Sequence, residues 1–172
     1  MNYAEIKKTD IANGSGVRVS LFVSGCRHHC PDCFNAVTWA FDYGTPFTQD
    51  TEDMILSYLS PDYISGLTLI GGEPFEPENQ SGLLRLTERI KKELPHKDIW
   101  CYSGFTFEEI LKGSRASTEF SRALLQNIDV LVDGRFERDK KDIRLKFRGS
   151  SNQRIIDVKS TLSQNEIVLW QE

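Results

Sequence analysis

The sequence predicts an α/β protein whose mostly parallel sheet forms an open, partial (β/α) barrel. Apolar runs typical of buried strands alternate with segments of helical periodicity, and strand–helix alternation with right-handed crossovers builds a parallel sheet. The chain has 172 residues, whereas eight strand–helix units take roughly 250. Each motif that could carry chemistry follows a predicted strand, and ligands gather at the carboxyl ends of parallel strands.

Four apolar runs are predicted strands, and two more candidates lie near the carboxyl terminus. The first run alternates and then becomes continuously apolar, which is typical of a strand buried on both faces. Glycine follows or closes each of the other three runs, and so marks the turn that ends the strand. The predicted strands are residues 17–23, 66–70, 98–102 and 128–134, with the candidates at 154–158 and 167–170.

Helices are predicted between these strands. Apolar residues recur at helical spacing in the first two segments, where Pro61 and Pro95 mark the ends, and Gly113 separates the last two. The predicted helices are residues 51–59, 83–94, 107–111 and 117–126. The aromatic segment from Trp39 to Phe47 has no clear periodicity, and we expect it to be a loop packed over the chemical site.

Composition and charge restrict the class of protein. The chain has 39% hydrophobic and 27% charged residues, which is typical of an ordinary soluble protein. A formal net charge of -4 gives no electrostatic reason to expect nucleic-acid binding. No apolar run approaches a membrane span, and the amino terminus lacks the form of a signal peptide. We therefore expect one cytoplasmic domain, residues 1–172, with no nucleic-acid or membrane partner.

Three cysteines lie in a short polar loop directly after the first predicted strand. Cys26, Cys30 and Cys33 have the spacing C-x3-C-x2-C, which lets a tight loop turn three thiolates towards one point. Such close cysteines in a reducing compartment bind metal more often than they form disulfides. Thiolates favour iron–sulfur clusters or zinc over hard cations. The loop is therefore predicted to bind metal.

The possible fourth ligand decides between a cluster and zinc. A structural zinc site closes its tetrahedron with a fourth protein ligand. The nearest spare donors, His28 and His29, stand between the cysteines, where we expect the loop to point them outward. Cys101 and His96 are distant in sequence, and Cys101 falls in a predicted strand, where free cysteine is usually a buried core residue. Three ligands with an open corner favour a four-iron cluster, and zinc stays an alternative at this point.

A glycine pair ends the second predicted strand. The run Gly71-Gly72-Glu73-Pro74 follows the apolar residues 67–70, and glycine lets a backbone approach a ligand closely. Taken alone, this run fits an ordinary strand-to-helix turn equally well. Because this run and the cysteine loop each follow a predicted strand, we expect the two motifs to form one site.

Together, the C-x3-C-x2-C loop after one strand and Gly-Gly-Glu-Pro after the next resemble the radical S-adenosylmethionine (SAM) enzymes. The resemblance implies the partial barrel of that superfamily, a metal-binding and catalytic role for the three cysteines as ligands of a [4Fe–4S] cluster, and a fourth iron chelated by SAM. The residues that it assigns to SAM are Asp32, Cys33 and Phe34 beside the adenine, Gly71, Gly72 and Glu73 at the methionyl amino group, and Ser103 and Asp133 as further polar contacts.

Further segments narrow the resemblance to the family that activates anaerobic (class III) ribonucleoside-triphosphate reductase. The segments are residues 13–18, 33–35, 102–104, 129–137 and 147–154. The resemblance implies that a low-potential donor reduces the cluster, which cleaves SAM to a 5'-deoxyadenosyl radical. This radical would remove hydrogen from a glycine of the large subunit of the reductase. Most radical SAM proteins carry an aromatic residue just before the third cysteine, whereas here Asp32 stands there and Phe34 follows.

Other functions fit parts of the sequence. The chain could activate another glycyl radical enzyme such as pyruvate formate-lyase, or act on a free metabolite as a small radical SAM enzyme. A zinc-binding adaptor is a further alternative, and the Gly-Gly-Glu-Pro run counts against it. The segment 147–154 combines an aromatic residue, arginines and small polar residues, a mixture that suits docking. We expect Arg148 and Arg154 to hold the reductase there, with a solvated loop as the alternative.

Overall fold

The computed structural model describes residues 1–172 and contains one mixed sheet of seven strands with five α-helices. The strands are β1 (Asn2–Asp10), β2 (Val17–Val23), β3 (Thr45–Pro46), β4 (Ile64–Gly71), β5 (Asp98–Ser103), β6 (Val130–Asp133) and β7 (Arg154–Asp157). The helices are α1 (Gln49–Leu59), α2 (Pro77–Glu93), α3 (Phe107–Leu111), α4 (Ser121–Asn127) and α5 (Val158–Gln164). None of these helices has the length and apolar character that crossing a membrane requires.

The sheet corrects the predicted fold. The α/β class is confirmed, but the open partial (β/α) barrel of the radical SAM type is wrong, because the seven strands form one sheet that does not close into a barrel, in the order β3-β1-β2-β4-β5-β6-β7. The prediction of a mostly parallel sheet is also wrong. Only the neighbours within β2-β4-β5-β6 pair in parallel, and the pairs β1–β2, β1–β3 and β6–β7 are antiparallel.

The antiparallel edges have a physical cause in the connections. Strand β1 reaches β2 through the turn at residues 11–16, and β7 follows β6 through residues 134–153, which contain no α-helix. Without a crossover helix, a returning strand pairs in the antiparallel direction. Most side chains of β1 are exposed or half-buried, so this strand lacks the apolar run by which a buried strand is recognised.

The two faces of the sheet are covered differently. One face packs against all five helices in a core cluster of 25 buried residues, to which β2 contributes Val19, Leu21 and Val23. The other face carries Trp100 and Tyr102 of β5 and packs against loop residues and the carboxyl-terminal segment. Successive side chains of a strand point to opposite faces, and the buried residues of all five helices pack on the first face. The second face is therefore free of helices and can enclose a cavity.

Most predicted elements are confirmed with shifted ends. Helix α2 begins at Pro77 rather than at residue 83, because its first turns are polar and bury Asn79 and Gln80 through hydrogen bonds to the backbone. Helix α5 was not predicted, and the strand expected at 167–170 is only an isolated bridge between Ile156 and Leu169. Cys101 is fully buried in the core, as predicted.

Candidate functional site

A cavity of about 490 Å³ lies at the carboxyl ends of the parallel strands, on the side of the sheet that the helices leave uncovered. This is the place where open α/β sheets bind ligands. The cavity brings together the two motifs that the sequence separates by almost 40 residues. Its lining includes Cys26, Cys30, Cys33, Gly71, Gly72 and Ser103.

The cysteine loop is held closed by the segment that follows it. The N–H of Gly25 donates to the carbonyl of Thr38 (2.7 Å), and the N–H of Cys26 donates to the carbonyl of Trp39 (3.0 Å). Gly25 has a positive φ of 97°, and a Cβ there would lie 2.3 Å from the ring of Phe41. Glycine is therefore required at the point where β2 passes into the loop.

Burial controls the protonation of two of the cysteines. Burial raises the pKa of the Cys26 thiol to about 12, and the nearby Glu73 carboxylate adds to this effect. Burial also raises the pKa of Cys30, and the neighbouring Cys33 adds to it. Thiols with raised pKa values are protonated at neutral pH, so a metal that binds them must displace protons.

The three cysteines that line the cavity are a donor set that fits an iron–sulfur cluster. No group of three or more His, Cys, Asp or Glu side chains in the chain is arranged to hold one metal ion. In a cluster, each thiolate binds a different iron, so the sulfur atoms stand farther apart than the ligands of zinc do. Cys26, Cys30 and Cys33 line one cavity, and they are the residues that would hold a cluster.

His28 occupies a different place from the one expected. Its side chain is only 2% exposed, and its ring packs against Phe105 with 4.4 Å between the ring centroids. The Nε2 atom lies 3.1 Å from Oε2 of Glu73. The prediction that the loop points His28 outward is therefore wrong, and this histidine links the cysteine loop to the glycine motif.

Glu73 joins three segments of the site. It is buried, and its Oε1 atom accepts hydrogen bonds from the N–H of Phe75 (2.9 Å) and from Oγ of Ser103 (2.8 Å). Its Oε2 atom accepts from the N–H of Gly104 (2.7 Å) and faces His28. The carboxylate thus ties the ends of β4 and β5 to the cysteine loop. A direct contact of Glu73 with the methionyl amino group stays a prediction.

The glycine pair lets two backbones lie in direct contact. Gly71 has a positive φ of 106°, and a Cβ there would lie 2.7 Å from the Cα of Phe22. A Cβ on Gly72 would lie 2.6 Å from the carbonyl oxygen of Gly25. The N–H of Gly72 donates to the carbonyl of Val23 at 2.7 Å. The pair therefore packs the end of β4 against the strand and loop that carry the cysteines.

Comparison with known proteins shows which family this sequence resembles. A family model described as a 4Fe-4S single cluster domain matches residues 12–156. Over 155 residues, the chain is 46% identical to the anaerobic ribonucleoside-triphosphate reductase-activating protein of Pasteurella multocida, covering 89% of this chain and 95% of the relative. The proteins of the same name from Escherichia coli K12 (43%; 89% and 96%) and from phage T4 (41%; 90% and 93%) are also similar.

This chain belongs to the family of anaerobic ribonucleoside-triphosphate reductase-activating proteins. The resemblance inferred from the sequence motifs is thereby confirmed. The family model spans the cysteine loop and the glycine pair, so both motifs lie inside the region that the relatives share. The 4Fe-4S description of the model agrees with the donor set of the cavity.

The other residues predicted to bind SAM divide into two groups. Ser103 and the 78% exposed Phe34 line the cavity. Asp32 is exposed, has a left-handed φ of 59° and lies 3.8 Å from the guanidinium of Arg138, outside the lining. Asp133 is buried and also outside the lining, where its carboxylate accepts a hydrogen bond from the N–H of Phe107 at 2.7 Å. The structure therefore brings Ser103 and Phe34 to the cavity, but not the side chains of Asp32 and Asp133.

The predicted docking segment, residues 147–154, is largely engaged within the chain. Arg154 pairs with Asp133 at 2.5 Å and with Glu108 at 2.7 Å. Phe147 packs edge-on against Trp100, with 5.4 Å between the ring centroids. The segment is thus no free solvated loop, and Arg154 has a structural role that the sequence did not reveal.

Sequence reasoning missed an ionic link beneath the cysteine loop. The fully buried side chain of Glu76 accepts hydrogen bonds from the backbone N–H of Arg27 (2.8 Å), from its guanidinium (2.7 Å) and from Arg115 (3.0 Å). Burial alone would raise the pKa of Glu76, but the hydrogen bonds from Arg115 and Arg27 hold it below its ordinary value. The only signal in the sequence was an arginine next to the first cysteine.

Proposed function

We propose that this chain activates anaerobic ribonucleoside-triphosphate reductase as a radical SAM enzyme. Cys26, Cys30 and Cys33 would hold a [4Fe–4S] cluster, whose chemistry when reduced would be one-electron cleavage of SAM to methionine and a 5'-deoxyadenosyl radical. A glycine of the large subunit of the reductase would then lose a hydrogen atom to that radical. The observation that carries this proposal is the meeting of the three cysteines and the glycine pair at one cavity. A low-potential electron donor, a single domain over residues 1–172 and a cytoplasmic location belong to the same proposal.

In this proposal, the residues of the chain hold and enclose the reacting groups. Cys26, Cys30 and Cys33 bind the cluster, and the backbone at Gly71 and Gly72 meets the methionyl end of SAM. Glu73 keeps the ends of β4 and β5 in register with the cysteine loop through its four hydrogen-bonding contacts. Positioning by groups that are already held in place lowers the cost of reaching the reactive geometry.

Exposed apolar side chains favour a macromolecular substrate over a free metabolite. Phe34 is 78% exposed and Val37, two residues beyond Cys33-Phe34-Asn35, is 59% exposed. Ile143, in the loop between β6 and β7, is 91% exposed. A contiguous patch of exposed apolar side chains marks a surface that binds another protein, and we propose that these side chains form one. A glycine on the reductase would then enter the cavity while the reductase covers these side chains.

The test combines product analysis with spectroscopy. Protein reconstituted without oxygen is expected to bind about four irons, to cleave SAM to 5'-deoxyadenosine when reduced, and to produce a glycyl radical, seen by electron paramagnetic resonance, when the reductase is added. Pyruvate formate-lyase in place of the reductase serves as the control partner. Stoichiometric zinc without iron would contradict the proposal. A radical formed only on the control partner would show that the substrate is another glycyl radical enzyme and not the reductase.

A further inference from the structure

Trp39 carries a buried polar atom that the proposed function does not use. Its indole Nε1 is buried and has no hydrogen-bond partner in the chain. A buried donor without a partner costs free energy, and native proteins rarely keep one unless a ligand or water satisfies it. The indole N–H is therefore expected to meet an acceptor that the polypeptide itself does not supply.

The position of Trp39 is fixed next to the cysteine loop. The residue ends the 3-10 helix Ala36–Trp39, and its carbonyl accepts a hydrogen bond from the N–H of Cys26 at 3.0 Å. Its ring stacks on that of His29, with 4.3 Å between the ring centroids and 15° between the planes. His29 stands between two of the cysteines, so both the backbone and the ring of Trp39 are anchored to the loop.

Trp39 is one of the residues that line the cavity together with the three cysteines. Glu73, the acidic residue in that lining, already receives its hydrogen bonds from Ser103, Phe75 and Gly104 and faces His28. The sulfur atoms of a cluster bound by the cysteines would be negatively charged acceptors in the same cavity. Sulfur accepts hydrogen bonds from N–H groups, and such bonds tune the reduction potential of iron–sulfur clusters.

We propose that the indole N–H of Trp39 donates a hydrogen bond to a sulfur of the cluster held by Cys26, Cys30 and Cys33. This inference rests on the iron–sulfur part of the proposed function and not on SAM cleavage or on the reductase. Reduction adds negative charge to the cluster, so the hydrogen bond stabilises the reduced form more than the oxidised form. Trp39 is thus a positioning residue that raises the reduction potential and makes the cluster easier to reduce.

The direct test uses a nuclear label. Protein is produced with ¹⁵N at the indole nitrogen of tryptophan, reconstituted and reduced without oxygen, and examined by pulsed electron paramagnetic resonance for a ¹⁵N coupling to the cluster. The coupling is expected in the parent protein and in Trp170→Phe, and its loss is expected in Trp39→Phe. Trp170 is a matched control because it packs against Trp100 on another part of the sheet face, away from the lining of the cavity.

A redox titration gives the second readout. The midpoint potential of the cluster is expected to shift to a more negative value in Trp39→Phe and to stay unchanged in Trp170→Phe, with iron content equal in both. An absent ¹⁵N coupling in the parent protein would overturn the proposal. A coupling that appears only after SAM is added would do the same, because the indole would then serve SAM instead of the cluster.

Loss of the cluster from Trp39→Phe would still leave the proposal testable. In that case, Trp100→Phe and Trp170→Phe are each labelled, and retention of the ¹⁵N coupling in both assigns it to Trp39. Loss of the coupling in either one refutes the assignment. All these measurements need only the reduced cluster, so a chain that cleaves no SAM would contradict the proposed function without deciding this inference.

Discussion

The two ends of the parallel strands are built in different ways. The cavity at the carboxyl end is lined by three cysteines and by Trp39 and Tyr102, and each of these two aromatic residues has a buried polar atom without a partner, the indole N–H and the hydroxyl. A second cavity, of about 410 Å³, is lined by residues at the start of β5 and β6, and its carboxylates have partners within the chain. The pairs are Asp98 with Arg18 (2.5 Å), Asp129 with Lys91 (2.5 Å) and Lys159 (2.6 Å), and Asp157 with the N–H of Ser160 (2.8 Å).

This difference separates stabilising from binding roles. Polar groups that are satisfied within the chain at the amino end hold the strands and α5 in place. Buried polar groups without a hydrogen-bond partner at the carboxyl end lower the stability of the free chain. We therefore expect a bound ligand to satisfy them. Substitutions at the amino end should therefore change stability, and those of residues that line the cavity at the carboxyl end should change the cluster and its chemistry.

Removing a cysteine of the cavity is expected to have the largest effect. Cys26→Ala should lose the four-iron cluster and with it all activation of the reductase, because a cluster with three protein ligands would keep only two. Iron and sulfide analysis together with electron paramagnetic resonance measures this. Cys101→Ala is the matched control, since Cys101 is also buried but belongs to the core. A full cluster in Cys26→Ala would show that the cysteine loop does not bind the cluster.

The next effect concerns Gly72, where we expect two losses at once. A Cβ there would lie 2.6 Å from the carbonyl oxygen of Gly25, so Gly72→Ala must displace the backbone of the cysteine loop. Both the iron content and the SAM affinity, measured by calorimetry, should fall. Gly113→Ala is the control, because its positive φ of 86° strains the backbone but no atom lies within 4 Å. Normal cluster content with weaker SAM binding would instead make Gly72 a contact of the cofactor alone.

At the carboxyl end, one ion pair is structural, and its removal should lower stability. Arg154→Ala would leave the buried carboxylate of Asp133 without its charged partner. We expect the free energy of unfolding to fall by an amount near the lower end of roughly 3–5 kcal/mol, since Arg154 is partly exposed. Urea denaturation measures the change. Arg144→Ala, which removes an exposed pair with Asp142, should leave the stability unchanged.

This expectation also revises the docking hypothesis. Because Arg148 also lines the cavity, docking through residues 147–154 would be supported by a stable Arg148→Ala variant that keeps its cluster and cleaves SAM but fails to activate the reductase. A double variant that also replaces Arg154 would not separate loss of docking from loss of the Asp133 pair. Arg148 donates only to the carbonyl of Gln153 among the hydrogen bonds of the chain. It is therefore the cleaner test of the two arginines.

The smallest expected effect lies at the amino end. Burial alone would raise the pKa of Asp129, but the hydrogen bonds from Lys159 and Lys91 lower it overall. A lowered pKa in the folded state contributes stability at neutral pH that is lost as the pH falls below the ordinary value for aspartate. Asp129→Asn should cost about 1–3 kcal/mol at pH 7 and less in acid, in urea denaturation at both pH values. A change in the iron content of Asp129→Asn would contradict the proposal that the amino end stabilises the fold and the carboxyl end binds the cluster.

The sequence alone determined the parts of the site that depend on local signals. The apolar run of β2 predicts that a strand delivers Cys26, Cys30 and Cys33 to a loop, and the spacing of these thiols predicts their convergence. The run before Gly71 likewise predicts a strand that ends at the glycine pair. These signals are readable because hydrophobic periodicity and turn residues act over a few neighbouring positions.

Only the tertiary structure decided how these segments meet. Strand β1 is mostly polar and forms a strand by pairing with β2 and β3. No local pattern therefore predicts this strand, or the antiparallel edge that the structure has in place of the predicted partial barrel. The carboxylate of Glu73 reaches His28 and Ser103 across 45 and 30 positions of the chain, and Arg154 reaches Asp133 across 21. Such contacts are set by how the strands pack, because a side chain's partner depends on distance in space and not on spacing along the sequence.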